Sequence, residues 1–396
     1  MKIGIDARMF GPKQGGLGRY IEQLVLNLEK IDHAIAYAKT TTPQTTNEYV
    51  IFLRKENFNE YEPTAPNFKK VLADVPWYGW REQILLPRIL KKEKADLMHF
   101  PHWNVPLFYR RPFVVTIHDL LLLHYPTRAA STLGPLSYFF KNIAYRLVLN
   151  SAVRHAQHIL TPCEFVKGDI VKTLNIKAEK ISVTLLAPPT NLKSSNFNNT
   201  PPPSLPTQPY ILYVGVAFPH KNLLGLIRAW KIFNEKFDNS YRLVLVGNEN
   251  YFYRQLKNHP LVKELSTIGG PASGGKNKPI FTGFVPDSQL AHFYQNASLY
   301  AFPSLYEGFG LPPLEAMQYD LPVVSSNATC LPEILQDAAL YFNPIDPVDM
   351  ATKINTALTD ENLRQNLKNN GQKLLKKYSW QTTAEQTLQI YQTVDN

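Results

Sequence analysis

The sequence predicts an α/β protein of two domains, each built from strands that alternate with helices. Three observations carry this reading. An apolar run at residues 2–7 leads into Gly11-Pro12-Lys13-Gln14-Gly15-Gly16-Leu17-Gly18-Arg19 and then a helical pattern through Tyr20, Leu24 and Leu28. The same succession returns where Tyr210-Ile211-Leu212-Tyr213-Val214 leads into Gly215 and a helix through Leu226, Trp230 and Phe233. Strand, glycine turn and helix in that order open a Rossmann-like unit. Between the two, residues 188–209 hold Asn196-Phe197-Asn198-Asn199-Thr200-Pro201-Pro202-Pro203 and almost no aliphatic side chain. Such a segment buries too little apolar surface to order itself well and reads as a linker. The expected domains are residues 1–188 and 210–378, with a linker at 189–209 and a terminal helix at 379–396.

The composition is that of a folded globular chain. Of 396 residues, 44% are hydrophobic and 19% charged, which predicts a sizeable core. No run of about 18 apolar residues occurs, so no membrane-spanning helix is expected. The opening Met1-Lys2-Ile3-Gly4-Ile5-Asp6 carries an acid inside its apolar run and lacks the form of a secretory signal. Two cysteines, Cys163 and Cys330, cannot build a disulfide framework, and a reducing cytoplasm is the expected compartment. The net charge of +10 is uneven: residues 1–190 carry 25 Lys and Arg against 16 Asp and Glu, and residues 191–396 carry 17 against 16. A basic first half suits anionic lipid, a phosphorylated acceptor or nucleic acid, or is simply a solvated surface. No nucleic-acid reading motif accompanies it, so nucleic acid is not an expected partner.

In the first half, residues 49–53 read as a strand. Residues 77–94 read as a helix interrupted near Pro87, with Trp77, Trp80, Ile84, Leu85, Ile89 and Leu90 apolar and Lys91, Lys92 and Lys94 closing it. Its aromatic and basic content fits a membrane surface, but an amphipathic stripe packed on the core is the expectation. Residues 96–100 and 113–117 are strands, and the second runs into His118-Asp119. His118 therefore stands at the carboxyl end of a strand, where open α/β sheets bind ligands. His99, His102 and His124 have no metal-ligand spacing. Residues 137–153 are helical, residues 159–165 a strand with its cap, and residues 181–185 the last strand of this half.

The second half is organised around Ser304-Leu305-Tyr306-Glu307-Gly308-Phe309-Gly310-Leu311-Pro312-Pro313-Leu314-Glu315. An apolar run at residues 297–302 precedes it as a buried strand. Two glycines stand in the turn, where backbone freedom or close approach is needed, and two prolines where a helix begins. A helix N-terminus after a glycine turn suits an anion such as phosphate. Glu307 stands before the turn and Glu315 is expected inside the first helical turn, where an acid also simply complements the dipole. Further strands are expected at residues 243–246, 280–285, 322–326 and 339–342, and helices at 332–335, 363–378 and 379–391.

Glu307 and Glu315, with Gly-Phe-Gly-Leu-Pro between them, resemble the signature of retaining glycosyltransferases of family 4. The order of the other motifs agrees: the first glycine loop, His118-Asp119, and Gly215-Val216-Ala217-Phe218-Pro219-His220-Lys221-Asn222-Leu223. The resemblance implies a GT-B fold, two Rossmann-like domains facing across a cleft, with the last helix crossing back to the first domain. It implies that Gly15 and Gly16 face the donor phosphates, that His118 reaches the donor sugar and that Lys221 contacts the donor diphosphate. Gly283 and Phe284 resemble the segment lying against the nucleotide base. One departure is Val216, where some relatives have Arg; a second cation then comes from elsewhere, Arg19 being a candidate, or Lys221 acts alone.

The chemistry of sugar transfer suits these residues. Breaking the glycosidic bond leaves negative charge on the diphosphate, which Lys221 and the turn and helix start at Gly308, Phe309, Gly310 and Leu311 would stabilise. Glu307 would bind donor-sugar hydroxyls, and Glu315 would accept from the ribose hydroxyls. No Asp-x-Asp occurs, so no carboxylate-held metal and no cofactor are expected. The resemblance implies retaining transfer of a hexose to a saccharide or lipid-linked saccharide, and because the layout resembles bacterial mannosyltransferases of surface polysaccharide synthesis, mannose from GDP-mannose is the expected donor. UDP-glucose or another hexose donor, a GT-B nucleotide-sugar epimerase and a catalytically silent sugar-nucleotide-binding protein are the alternatives. The expected location is cytoplasmic, with the inner face of an anionic membrane as the surface the basic half would meet.

Overall fold

The computed structural model describes residues 1–38, 47–125, 134–189, 202, 205–237, 240–267 and 277–394. The chain divides into two compact units, one of Met1–Leu186 with Ser379–Asn396 and one of Ala187–Tyr378. Most of the linker expected at 189–209 lies outside the described residues.

The first unit is a seven-stranded sheet: β1 (Lys2–Asp6), β2 (Glu48–Leu53), β3 (Phe68–Leu72), β4 (Leu97–Phe100), β5 (Phe113–Thr116), β6 (His158–Thr161) and β7 (Ile181–Val183). Their order is β3-β2-β1-β4-β5-β6-β7, and every pairing is parallel. Strands covered on both faces read as continuous apolar runs, as Phe113-Val114-Val115 does. The helices are α1 (Gly15–Ala38), α2 (Trp80–Glu93), α3 (Leu121–His124), α4 (Pro135–His155) and α5 (Glu164–Leu174). Strand β3, Phe-Lys-Lys-Val-Leu, is absent from the sequence reading. It is an edge strand with a largely exposed face, and edge lysines of this kind hide a strand's apolar signal.

Two expectations in this unit are corrected. Pro87 lies inside α2 without interrupting it. The helix also turns a different face inward: Glu82, Leu86 and Leu90 are buried, while Trp80, Ile84 and Leu85 are exposed. Burial of Glu82 follows from Arg8, whose guanidinium is itself in the core and donates to it at 2.5 Å. Arg8 also grips Asp6 through Nε and Nη2 at 2.8 Å each. Burial alone would lower the Arg8 guanidinium, but Asp6 and Glu82 together raise it. A buried charge that lost such partners would be strongly destabilising.

The second unit holds β8 (Tyr210–Val214), β9 (Arg242–Val246), β10 (Ile280–Gly283), β11 (Leu299–Phe302), β12 (Val323–Ser326) and β13 (Ala339–Phe342). Their order is β10-β9-β8-β11-β12-β13, again all parallel. Helices α6 (Leu223–Lys236), α7 (Tyr251–Lys257), α8 (Pro260–Thr267), α9 (Asp287–Asn296), α10 (Leu311–Met317), α11 (Leu331–Leu335), α12 (Pro347–Thr359) and α13 (Glu361–Leu375) follow. In each sheet the first-made strand lies at the point where strand order reverses: β1 beside β4, β8 beside β11. Ligand sites of open α/β sheets lie at the carboxyl ends of strands at that switch. The terminal helix α14 (Trp380–Thr393) packs along α1 in the first unit.

Candidate active site

In the second unit the loops after β8 and β11, neighbours across the switch point, bring Lys221 and Glu307 together. A short 3-10 turn spans Pro219–Lys221 and ends at Asn222, in the left-handed region with φ 57°. The Asn222 amide donates to the carbonyls of Pro303 at 3.1 Å and Pro344 at 2.7 Å. The Leu305 N–H donates to the His220 carbonyl at 2.7 Å. These bonds fasten the two loops, and Lys221 Nζ donates to both Glu307 oxygens at 2.7 and 2.8 Å. The side chains are 20% and 10% exposed. A charge-assisted, two-pronged contact this shielded is stronger than an open surface pair.

Glu307 is held from behind as well. Its N–H donates to Thr329 Oγ1 at 3.2 Å, and its carbonyl accepts from Cys330 Sγ at 3.3 Å. Gly310 follows with φ 94°, and a Cβ there would stand 2.8 Å from Leu331 Cδ2. Only glycine fits a left-handed backbone pressed that closely. Helix α10 begins at Leu311, with proline in its first turn. The Phe309 ring is buried edge-on against Tyr378 at 5.7 Å, so Phe309 offers its backbone rather than its side chain.

Glu315 is placed differently from the sequence expectation. Because α10 starts at Leu311, Glu315 falls beyond the first turn and is buried, accepting from the Tyr294 hydroxyl at 2.9 Å. Tyr294 in turn stacks on Tyr319 at 5.5 Å. At the end of β10, Gly283 has φ 76° and Phe284 is 70% exposed.

In the first unit, His118 follows β5. Its Nε2 lies 2.9 Å from the Pro101 carbonyl, which can only accept, so the proton sits on Nε2 and Nδ1 is the acceptor. The Tyr20 ring meets it edge-on at 4.7 Å. Gly15 and Gly16 are the first residues of α1 rather than part of a loop. The close approach is at Gly18, where a Cβ would stand 2.0 Å from the Gly11 carbonyl.

Four histidines are held neutral. Burial lowers His99 and His102 to about 3, with His118 adding to the effect, and burial lowers His118 to about 4 against the opposing Pro101 bond. Burial, then Lys221, lowers His220 to about 4. In the unfolded chain these groups titrate near ~6.5. Between those values the unfolded state binds more protons, so this stability is complete above about pH 6.5 and is lost as pH falls toward 4. For the fully buried His99 the slope reaches about 1.4 kcal/mol per pH unit. The urea midpoint is expected to fall between pH 7 and 5, less steeply in His99→Gln. A midpoint that is flat across that range would contradict it.

Comparison with known proteins identifies the family. Residues 14–185 match the model of Glycosyltransferase Family 4, and residues 196–374 match that of Glycosyl transferases group 1. An O-antigen chain mannosyltransferase B from Escherichia coli is 30% identical over 95% of this chain and 95% of its own. The chain belongs to glycosyltransferase family 4. The O-antigen chain mannosyltransferase RfbU of Salmonella typhimurium is 30% identical over 69% of this glycosyltransferase and 68% of its own length. Among solved structures, a sucrose-phosphate synthase from Thermosynechococcus elongatus superposes with a TM-score of 0.70 at 19% identity, over 100% of this chain and 99% of that one. The fold of the glycosyltransferase is GT-B.

Several residues that shape these sites are silent in the sequence. Tyr294 lies on α9 and Thr329 and Cys330 just before α11; the first reaches the Glu315 carboxylate and the other two the Glu307 backbone from well away in the sequence. Asn222 carried a signal, as an Asn directly after Lys221, a residue type that readily takes the left-handed conformation that ends the Pro219–Lys221 turn.

Proposed function

We propose that this glycosyltransferase is a retaining, metal-independent enzyme that moves mannose from GDP-mannose to a saccharide or lipid-linked saccharide of a surface polysaccharide. The observation that carries this reading is the Lys221–Glu307 pair at the switch point of the second unit. The names of the mannosyltransferase relatives support the sugar. Lys221 turns to the diphosphate as charge develops there, and the N–H groups of the Gly308–Leu311 turn add to it. Glu307 orients the sugar through its hydroxyls. Glu315, steadied by Tyr294, accepts from the ribose, and Phe284 flanks the base beside Gly283. The bond from the anomeric carbon to the phosphate oxygen breaks, the acceptor oxygen bonds on the same face, and its proton passes to a donor phosphate oxygen. Neutral His118 accepts through Nδ1 from a donor-sugar hydroxyl, and Gly15 and Gly16 face the phosphates.

Hydrolysis of GDP-, UDP- and ADP-sugars without acceptor tests this. GDP-mannose is expected to be cleaved fastest, and equally in EDTA. Preference for UDP-glucose would move the donor assignment, release of an epimer would mark an epimerase, and a loss in EDTA restored by magnesium would overturn the metal-free reading.

The same reading places the enzyme at the cytoplasmic face of a membrane. Trp80, Ile84, Leu85 and Phe108 are exposed on the first unit, as are Phe139, Phe140, Ile143 and Leu147 on α4, interspersed with Arg81, Arg88, Arg110, Lys141 and Arg146. Among the described residues no helix is long and apolar enough to cross a bilayer. Exposed aromatic and basic residues together suit its surface, at roughly 1 kcal/mol per cation, screened within a Debye length. Co-sedimentation with anionic vesicles at low salt, reversed by salt, is expected. Equal binding to neutral vesicles, or none to either, would reject it.

A further inference from the structure

Beside His118 the first unit carries an aromatic pair that the donor chemistry does not use. Tyr78 has φ 62°, a left-handed backbone that is a true outlier for a bulky residue and costs of order 1–3 kcal/mol. The surroundings hold it there. The Tyr78 N–H donates to Glu82 Oε2 at 2.8 Å, while Glu82 Oε1 accepts from Arg8 and, at 2.8 Å, from Asn104. Arg8 adds a bond to the Val75 carbonyl at 3.1 Å, just upstream of the strained residue. Asp6, Arg8, Glu82 and Asn104 are all buried. Ionic networks in a core are often no more stabilising than apolar residues of the same shape, so stability alone does not account for this one. Its geometric result is a fixed Tyr78.

What it fixes is a tyrosine 48% exposed. Tyr78 stacks on Trp103 with centroids 5.3 Å apart and planes at 26°. Trp103 is braced edge-on by Tyr145 at 4.6 Å. The Tyr78 hydroxyl lies 2.9 Å from His102 Nε2, and His102 Nδ1 is buried with no hydrogen-bond partner. The His102 ring lies 6.5 Å from that of His118.

We propose that Tyr78 and Trp103 form a stacking platform for a pyranose ring of the acceptor, with His102 at its polar edge. A pyranose presents a face of C–H groups and a rim of hydroxyls, which calls for an aromatic surface and a few placed polar groups. The platform stands beside His118, on the unit that does not carry the Lys221–Glu307 pair. Glu82 is a positioning residue, acting through the Tyr78 backbone. This assignment rests on the transferase reading above.

Saturation-transfer NMR with the methyl glycosides of mannose, glucose, galactose and N-acetylglucosamine tests it, with GDP affinity measured by calorimetry on the same samples. The wild-type protein is expected to saturate the C–H protons of at least one glycoside. Tyr78→Ala and Trp103→Ala should each reduce that signal about tenfold, Tyr78→Phe should retain it, and all three should bind GDP as the wild type does. No saturation by the wild type, or an unchanged signal in both alanine variants, overturns the platform. Stronger saturation of GDP than of any glycoside through Tyr78 would mark a nucleotide site and overturn it too. Failure of the wild type to bind GDP would instead strike the donor assignment, leaving the glycoside result to stand or fall separately. Tyr78 is exposed and Trp103 partly exposed, so neither alanine variant empties the core, and GDP binding reports that each is folded.

Discussion

Replacing Glu307 with glutamine is expected to lower turnover on the order of 10²–10³, the usual cost of removing one oriented contact that strengthens in the transition state, and to leave the fold intact. Glutamine keeps the shape of the side chain and one acceptor for Lys221. The backbone anchors to Thr329 and Cys330 do not involve the carboxylate. What disappears is the charge that Lys221 now meets at 2.7 and 2.8 Å. The variant also separates two roles. Lys221 is released from its partner, so GDP affinity should hold or rise while transfer falls. Single-turnover rates and calorimetry read the two quantities independently. Wild-type turnover by a folded Glu307→Gln protein would remove Glu307 from the site.

Lys221→Ala is expected to weaken GDP binding about tenfold or more and to slow transfer with it, since a cation at the diphosphate acts on both ground state and transition state. It carries a second cost that Glu307→Gln does not. The Glu307 carboxylate, 10% exposed, loses its cation, a change worth about 1–3 kcal/mol of stability. The double variant Lys221→Ala with Glu307→Gln should recover part of that loss without recovering activity, the mark of a coupled pair. Unchanged GDP affinity in Lys221→Ala would place the lysine outside the phosphate site.

The strands were legible wherever they were buried on both faces, because a run such as Tyr210-Ile211-Leu212-Tyr213-Val214 is too short for a helix and is bounded by Pro209 and Gly215. Edge strand β3 was not, since its lysines interrupt the pattern. The glycine turn before α10 was legible because Gly310 must adopt φ 94° against Leu331. The depth of Glu315 was not, because one turn of helix decides it and sequence places helix starts only to within a few residues. The inward face of α2 was misread for a different reason. Apolar periodicity pointed to Trp80 and Ile84, but the helix is rotated by Glu82 answering Arg8, a long-range pairing with no local signature.

Helix α14 gives the first unit its last element long after the rest has been made. His99, in the middle of that unit's sheet, lies 2.6 Å through Nδ1 from the hydroxyl of Tyr391 and 2.7 Å through Nε2 from Thr116. At ordinary rates of translation, roughly 10–40 s separate the emergence of the first unit's strands from that of Tyr391. Until then His99 lacks the partner that Tyr391 supplies, and the surface of α1 that receives α14 is uncovered. The first unit is thus completed only by residues made after the second, and a nascent chain stalled within the second unit carries an unfinished first one.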